Sequence, residues 1–404
     1  MAFVKRLLNM KDLLKRLDAH YPEVREPKLP FRRFKHETVL SLIDTLKNNE
    51  FFKIEEIARS IEGRPIQSIT IGSGNIRILV WTQMHGNEST ATRAVFDFLN
   101  FCNSELLTAD YSEWFNQVCM CFVPVLNPDG LERYQRRNAL NIDPNRDAAR
   151  RSTPEIRALF SLLESFKPDW CFNMHDQRNL FNVGGTKEPA TLSFLSPSTA
   201  DGKRNQNQSD AMMMIDKLNQ ALQDFIPNKI GRFTHEFYPT ASGDNIQSLG
   251  YRTILVESGG HVKDVEREVA RKMNFMLLWK AIELTASGNW SKGTALRYSE
   301  IPKNDQKLFD LLIRNVGIER NNQVVFADIG IDRVEIPASL PEGFVVKSSI
   351  REIGDLSHYY GYDEVSADGA VVNVELNLNE VADFTLKNNN ETFMKVVNGF
   401  VVHG

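Results

Sequence analysis

Three apolar-rich runs constrain this chain most: the continuous "VCMCFVPVLN" at 118–127, and "PDWCFNMH" at 168–175 and "YRTILVES" at 251–258. None shows the polar alternation of a strand with one wet face, so each reads as a strand buried on both sides. Between them lie segments of helical period. "STATRAVFDFLNFC" places Ala94, Val95, Phe98 and Phe101 on one side. "TPEIRALFSLLESF" starts with Thr153 as N-cap and Pro154 at the first position, and "SDAMMMIDKLNQALQDF" follows. Strands that alternate with helices predict an α/β sheet covered by helices on both faces.

Residues 1–54 read as a helical segment, with Val39, Ile43 and Leu46 at helical spacing. "IQSITIGS" and "NIRILVWTQ" read as strands joined by a Gly72–Asn75 turn, opening a domain over 55–289. "SGNWSKG" reads as a linker into a third region, 290–404. There "DQKLFDLLIRNV" reads as a helix, followed by short alternating runs that predict a small, mainly β domain.

A length of 404 residues exceeds what one core usually holds, which agrees with more than one domain. The formal net charge of -4 offers no general attraction to nucleic acid or anionic membrane. No apolar run approaches the roughly 20 residues that cross a bilayer. The N-terminal stretch "MAFVKRLLNMKDLLKRLDAHYPE" reads as an amphipathic helix rather than a secretory signal. Four cysteines make no disulfide framework in a chain this long and read as reduced, buried thiols, which suggests a cytoplasmic setting.

Polar residues cluster where the apolar runs stop. His85 and Glu88 follow the strand read at 77–83, Asn127 the strand at 117–126, His175 the strand at 169–174, and Glu257 the strand at 252–256. Open α/β sheets bind ligands outside the carboxyl ends of their strands. Two histidines and one carboxylate make a three-ligand zinc set with a fourth position open to water, the catalytic rather than the structural arrangement. Zinc lowers the pKa of that water and polarises the carbonyl it attacks. Glu257 is the candidate general base. Taken singly, each residue has a plainer reading: a surface His-x-x-Glu, a hydrogen-bonded structural histidine. In "NPDGLERYQRRNALNIDPNRDAAR", Arg136 and Arg146 supply forked donors for a carboxylate or an oxyanion, with Asn145 beside Arg146; the plainer reading is a solvated basic loop.

"HGNE", "NPDG", "RRNALNIDPNRD", a strand-end "MH" and "ILVE" occur in an order and spacing that resemble the zinc carboxypeptidase superfamily: carboxypeptidase A-like peptidases and their amidase and deacylase relatives. The resemblance covers about residues 55–285. It implies an α/β/α sandwich with a mixed, roughly eight-stranded sheet and one zinc ion. It also implies His85, Glu88 and His175 as ligands, Glu257 as base, Arg136 as oxyanion donor and Asn145 with Arg146 as the grip on a terminal carboxylate. Asp143 resembles the carboxylate that orients the first histidine. A non-proline cis peptide between Asp176 and Gln177 is implied as well. Tyr238 in "FYPTASGDN" stands near the family's mobile tyrosine but one residue out of register, with His235 a weaker substitute. Asn87 stands where digestive-type members carry arginine. Asp244 reads as a turn aspartate or as a partner for a basic terminal side chain. The implied activity is a metallocarboxypeptidase on a peptide or peptide-like substrate. The alternative is a deacylase or amidase for N-acyl amino acids or cell-wall peptides, and "NPDG" favours the peptidase branch. A binding module that has lost its chemistry is disfavoured, since neither a ligand nor the base is missing.

Overall fold

A computed structural model describes residues 13–234, 236–339, 343–389 and 391–402. Residue contacts divide the chain into two compact units, Met1–Gln177 with Ala190–Lys303, and Arg178–Pro189 with Asn304–Gly404.

In the first unit the helices are α1 Leu13–Val24, α2 His36–Leu46, α3 Thr90–Cys102, the one-turn α4 Ala109–Ser112, α5 Pro128–Arg133, α6 Pro154–Phe166, α7 Gln206–Leu222, α8 Ser242–Ser248, α9 Glu268–Ser287 and α10 Ala295–Glu300. The strands up to Ser258 run in chain order as β1 Phe52–Arg59, β2 Pro65–Ile71, β3 Ile76–Trp81, β4 Val118–Val123, β5 Trp170–Asp176, β6 Asn182–Val183 (which belongs to the second unit), β7 Leu192–Leu195, β8 Ile230–Arg232 and β9 Arg252–Ser258. All but β6 form one mixed eight-stranded sheet, ordered β1-β2-β4-β3-β5-β9-β7-β8. Its centre, β4-β3-β5-β9, is parallel. β1, β2 and β7 join antiparallel to their inner neighbours.

The apolar runs are explained by what covers each face. Ile78, Val80, Met120, Phe122, Phe172, Met174, Ile254 and Val256 pack in one cluster with α1, α3, α7 and α9. Leu79, Trp81, Cys121, Val123 and Cys171 point the other way, beneath Ile156, Leu159 and Phe160 of α6. Each such side chain, fully buried, contributes about 1.5–3 kcal/mol. Thr153 caps α6 as its sequence indicates, accepting from the Ile156 N–H, with Pro154 at the first position.

The second unit holds β6 paired with β10 (Asn304–Asp305), and a larger sheet of β11 Leu308–Arg320, β12 Gln323–Pro337, β13 Phe344–Gly354, β14 Tyr360–Ser366, β15 Val371–Val372, β16 Phe384–Asn388, β17 Glu391–Val397 and β18 Phe400–Val402. Leu311, Ile313, Val316, Ile329, Ile331, Ile350 and Leu386 are central to its core.

Four sequence expectations differ from the structure. "FFKIEEIA" is the edge strand β1, not the end of a helix; α2 stops at Leu46. "DQKLFDLLIRNV" lies mostly in β11. Its apolar residues serve both faces, Leu311 and Ile313 in one cluster and Phe309 and Leu312 in another, and such a run has no decisive period. The "SGNWSKG" stretch is packed rather than a free linker. Trp290 meets Trp170 at 5.0 Å and Tyr298 is buried, accepting from the Ser196 N–H, so the units part at 303/304 instead of 289/290. Finally, Asp176–Gln177 is trans, since no cis peptide occurs among the described residues. The Gln177 N–H continues the β5–β9 ladder to the Ser258 carbonyl at 2.8 Å. Among the described residues no helix is long and apolar enough to cross a membrane.

Candidate metal centre

β3 ends at Trp81, and the chain then turns tightly into α3, carrying His85 and Glu88 on the turn. Gln83 takes a positive φ of 49° there and its Nε2 donates to the Gly86 carbonyl at 2.8 Å. The two glycines of "HGNE" and "NPDG" are sterically required. A Cβ on Gly86 would lie 1.9 Å from the Gly130 carbonyl carbon, and one on Gly130 would lie 2.5 Å from Asn127 Nδ2. Asn127 caps α5 and also donates to the Met84 carbonyl at 3.2 Å, so the two loops are fastened to each other.

His175 and Glu257 lie inside β5 and β9, one residue before their ends, rather than after the strands as the sequence suggested. They are register partners on neighbouring parallel strands and so share a face of the sheet.

Three buried side chains converge: the donor atoms of His85, Glu88 and His175 all lie within 4.8 Å of one another. His85 Nδ1 is 2.7 Å from Glu88 Oε1, His175 Nδ1 is 2.7 Å from Glu88 Oε2, and the two Nδ1 atoms are 3.2 Å apart. Two ring nitrogens aimed at each other cannot both carry a proton, and a cation resolves that arrangement better than one shared proton does. The N, N, O donor set fits zinc. His85 Nε2 meets Asp143 Oδ1 at 3.1 Å, the partner that fixes ring orientation, whereas His175 Nε2 is buried without a partner. Arg136, whose side chain is 42% exposed, donates Nε to Asp143 Oδ2 at 2.9 Å and Nη1 to Glu88 Oε1 at 3.3 Å.

The electrostatics follow from this packing. Burial favours a neutral Glu88, but the charges and hydrogen bonds of His85 and His175 outweigh it and hold the carboxyl well below the usual range. His175 is lowered by burial, and Glu88 opposes that only in part. Glu257 is pushed well above the ordinary carboxyl range, first by burial and then by the charges of Glu88 and Asp176. The residue keeps some exposure while its Oε2 is shut off from solvent and unpartnered.

A second group lies on the 3₁₀ turn at 144–146 and the loop before α8. The Asn145 N–H donates to Asp143 Oδ1 at 2.9 Å, linking it to the metal centre. Asn145 Oδ1 accepts from the Ser242 N–H and hydroxyl at 2.9 and 2.8 Å. The exposed Arg146 lays its guanidinium over the Tyr238 ring, 4.2 Å from the centroid. Asp244 is buried beside them, with Oδ1 unpartnered. His235 lies outside the described residues.

Residues 39–147 match the zinc carboxypeptidase (peptidase M14) family model. That segment, which carries His85, Glu88, Arg136, Asp143, Asn145 and Arg146, is where the chain is similar to zinc carboxypeptidases in sequence. A protein of Trichophyton verrucosum named "Probable carboxypeptidase 2" is 26% identical over 208 residues, which is 48% of this chain and 35% of that protein. The chain thus spans about a third of the length of the curated relatives it matches. The metallo-carboxypeptidase of Burkholderia cenocepacia superposes with a TM-score of 0.52 at 14% identity, over 64% of this chain and 71% of that one. Bovine thrombin-activatable fibrinolysis inhibitor, solved in complex with a tick carboxypeptidase inhibitor, gives 0.51 at 15% identity, over 63% and 98%. At such identity these likenesses concern the fold alone. Zinc carboxypeptidases imply zinc, in keeping with the donor set.

Two residues near the ligands went unnoticed in the sequence. Asp176 accepts from the Thr90 N–H and hydroxyl at 3.3 and 2.7 Å, and its own N–H donates to Glu88 Oε2 at 3.2 Å. Its place directly after His175 was the available signal. Arg267 carried none, for an arginine before a charged helix reads as surface.

Proposed function

We propose that this chain is a zinc-dependent metallocarboxypeptidase that removes the C-terminal residue of a peptide or peptide-like substrate. The observation that carries the reading is the convergence of two Nδ1 atoms and one carboxylate in a buried cluster, with Glu257 in register beside His175. His85, Glu88 and His175 would hold one ion. A zinc ion there acts as a Lewis acid that polarises the scissile carbonyl and lowers the pKa of water.

The chain's own groups do the rest. Glu257 takes the proton of the attacking water at its carboxylate and delivers it to the leaving nitrogen. Arg136 reaches the centre from its exposed side and stabilises the oxyanion. Asp143 keeps His85 oriented. Arg146 forks onto the terminal carboxylate with Asn145 beside it, and Tyr238, stacked on Arg146, closes over that end. The four free cysteines, three of them buried, support a reducing, cytoplasmic compartment.

Matched free-acid and C-amidated peptides test the exopeptidase reading, run with zinc and with chelator. Hydrogen bonds to charged groups contribute about 1.5–3 kcal/mol, so amidation should cost roughly ten- to a hundredfold in kcat/KM. Arg146→Ala should impair the free acid strongly and the amide hardly at all. Equal rates on both peptides would defeat the carboxypeptidase reading, and preferred cleavage of an N-acyl amino acid would turn it toward a deacylase.

A further inference from the structure

Arg267 is buried immediately before α9 with φ 55° and ψ 36°. A non-glycine residue held in the left-handed region is strained and stays there only where its surroundings enforce it. Here the guanidinium supplies that constraint. Nη1 donates to the Ser258 carbonyl and Nη2 to the Gln177 carbonyl, both at 2.8 Å. Ser258 follows Glu257, and Gln177 lies two residues beyond His175. The planar fork therefore joins the residue just after β5 to the last residue of β9, where the Ser258 carbonyl also accepts the Gln177 N–H. Arg267 Nη1 also lies 3.6 Å from Asp176 Oδ2, the oxygen that receives both Thr90 donors. Through the Asp176 N–H, the same group reaches Glu88.

The Glu257 carboxylate has no comparable hold, since its Oε2 is buried without a hydrogen-bond partner. Its position against His175 is therefore set by the backbone register of the two strands, at the point where Arg267 bridges them.

We propose that Arg267 is a positioning residue for this site: by clamping the ends of β5 and β9 it sets Glu257 against the metal ligands. The inference rests on the proposed role of Glu257 as base. Arg267 touches neither substrate nor metal, so its removal should leave binding intact and damage turnover. A misplacement near 1 Å costs on the order of a hundredfold in rate.

The test compares wild type, Arg267→Ala, Arg267→Lys and Glu257→Gln on a free-acid N-acylated dipeptide. Rates are expressed per bound zinc, and amide hydrogen exchange is followed at Gln177. For Arg267→Ala we expect zinc stoichiometry and KM close to wild type, kcat lower by about ten- to a hundredfold, and faster exchange at Gln177. Lysine keeps the charge and one or two donors without the fork, so it should recover part of kcat. If the alanine variant does not fold, the lysine variant decides alone: reduced kcat with unchanged KM supports the clamp. Variants that only melt earlier, with kcat per zinc and Gln177 exchange as in wild type, overturn it and leave the functional reading intact. A wild type as inactive as Glu257→Gln on every free-acid peptide instead overturns the functional reading, and the positioning role falls with it.

Discussion

Asp244 carries an energetic cost that a plain turn aspartate would not. Burial pushes its carboxyl up to about 6, although the Tyr238 N–H and the Arg146 charge both pull it down. The folded state thus keeps a proton between about pH 4 and 6 that the unfolded chain, at the ordinary value of 3.8, gives up. Stability should fall as pH rises through that window, and the full penalty applies above it. Asp244→Asn removes the charge and keeps the shape. It should stabilise the protein by about 1–3 kcal/mol at pH 7.5 and have little effect near pH 4. Thermal melts at the two pH values check this; a gain of the same size at both would mean the carboxyl is not the cause. At this scale the sequence was most legible where chemistry restricts residue type. A three-ligand zinc site admits few side chains, so His85, Glu88 and His175 stood out, and the structure brings them together. Arg267 meets the Ser258 and Gln177 carbonyls, and backbone acceptors leave no signature in a sequence; Asp176 offered only its place directly after His175.

The same limit explains which elements were misread. Helices α6 and α7 were legible because a covered face imposes a period of 3.6, whereas α3 is buried nearly all round and was legible from its apolar spacing alone. β1 was hidden because an edge strand is half solvated, and its Glu55–Glu56 pair imitates a helix surface. β11 was hidden because both of its faces are apolar. The attachment of α1 depends on pairings distant in sequence. The Tyr21 hydroxyl donates to Asp97 Oδ2 at 2.9 Å, and Arg271 forks onto both Asp97 oxygens at 2.6 and 2.7 Å. Arg93 and Arg25 both meet Glu268. Asp97 and Arg271 are fully buried, so removing Asp97 leaves the Arg271 guanidinium with only the longer ion pair to Glu268 at 3.4 Å. Asp97→Ala should cost about 3–5 kcal/mol, read as a lower urea midpoint. A loss below about 1 kcal/mol, the scale of a surface pair, would show that Arg271 finds compensation elsewhere.

At the scale of the whole molecule, the chain leaves the first unit at Gln177, two residues after His175, and returns at Ala190. Nothing in "RNLFNVGGTKEP" announces that excursion, because its partners lie more than a hundred residues later. Val183 and Asn182 pair with Asn304 and Asp305. The Leu180 carbonyl accepts the Leu308 N–H at 3.2 Å, Asn182 Oδ1 accepts the Lys307 N–H at 3.0 Å, and the Asn179 carbonyl accepts the Tyr362 hydroxyl at 2.9 Å. A chain ending at Lys303 loses all of these, while local bonds such as Val183 N–H to the Glu188 carbonyl remain. Backbone without such partners is a preferred site of proteolytic nicking. Brief trypsin treatment should therefore cut the truncated chain at Arg178 or Lys187 well before the full-length protein. Zinc content should survive the truncation itself, because His85, Glu88 and His175 all belong to the first unit. Equal resistance of the two chains at those sites would mean that the segment holds its own structure. Zinc lost on truncation, before any cut, would mean that the β unit is needed for the metal centre to form.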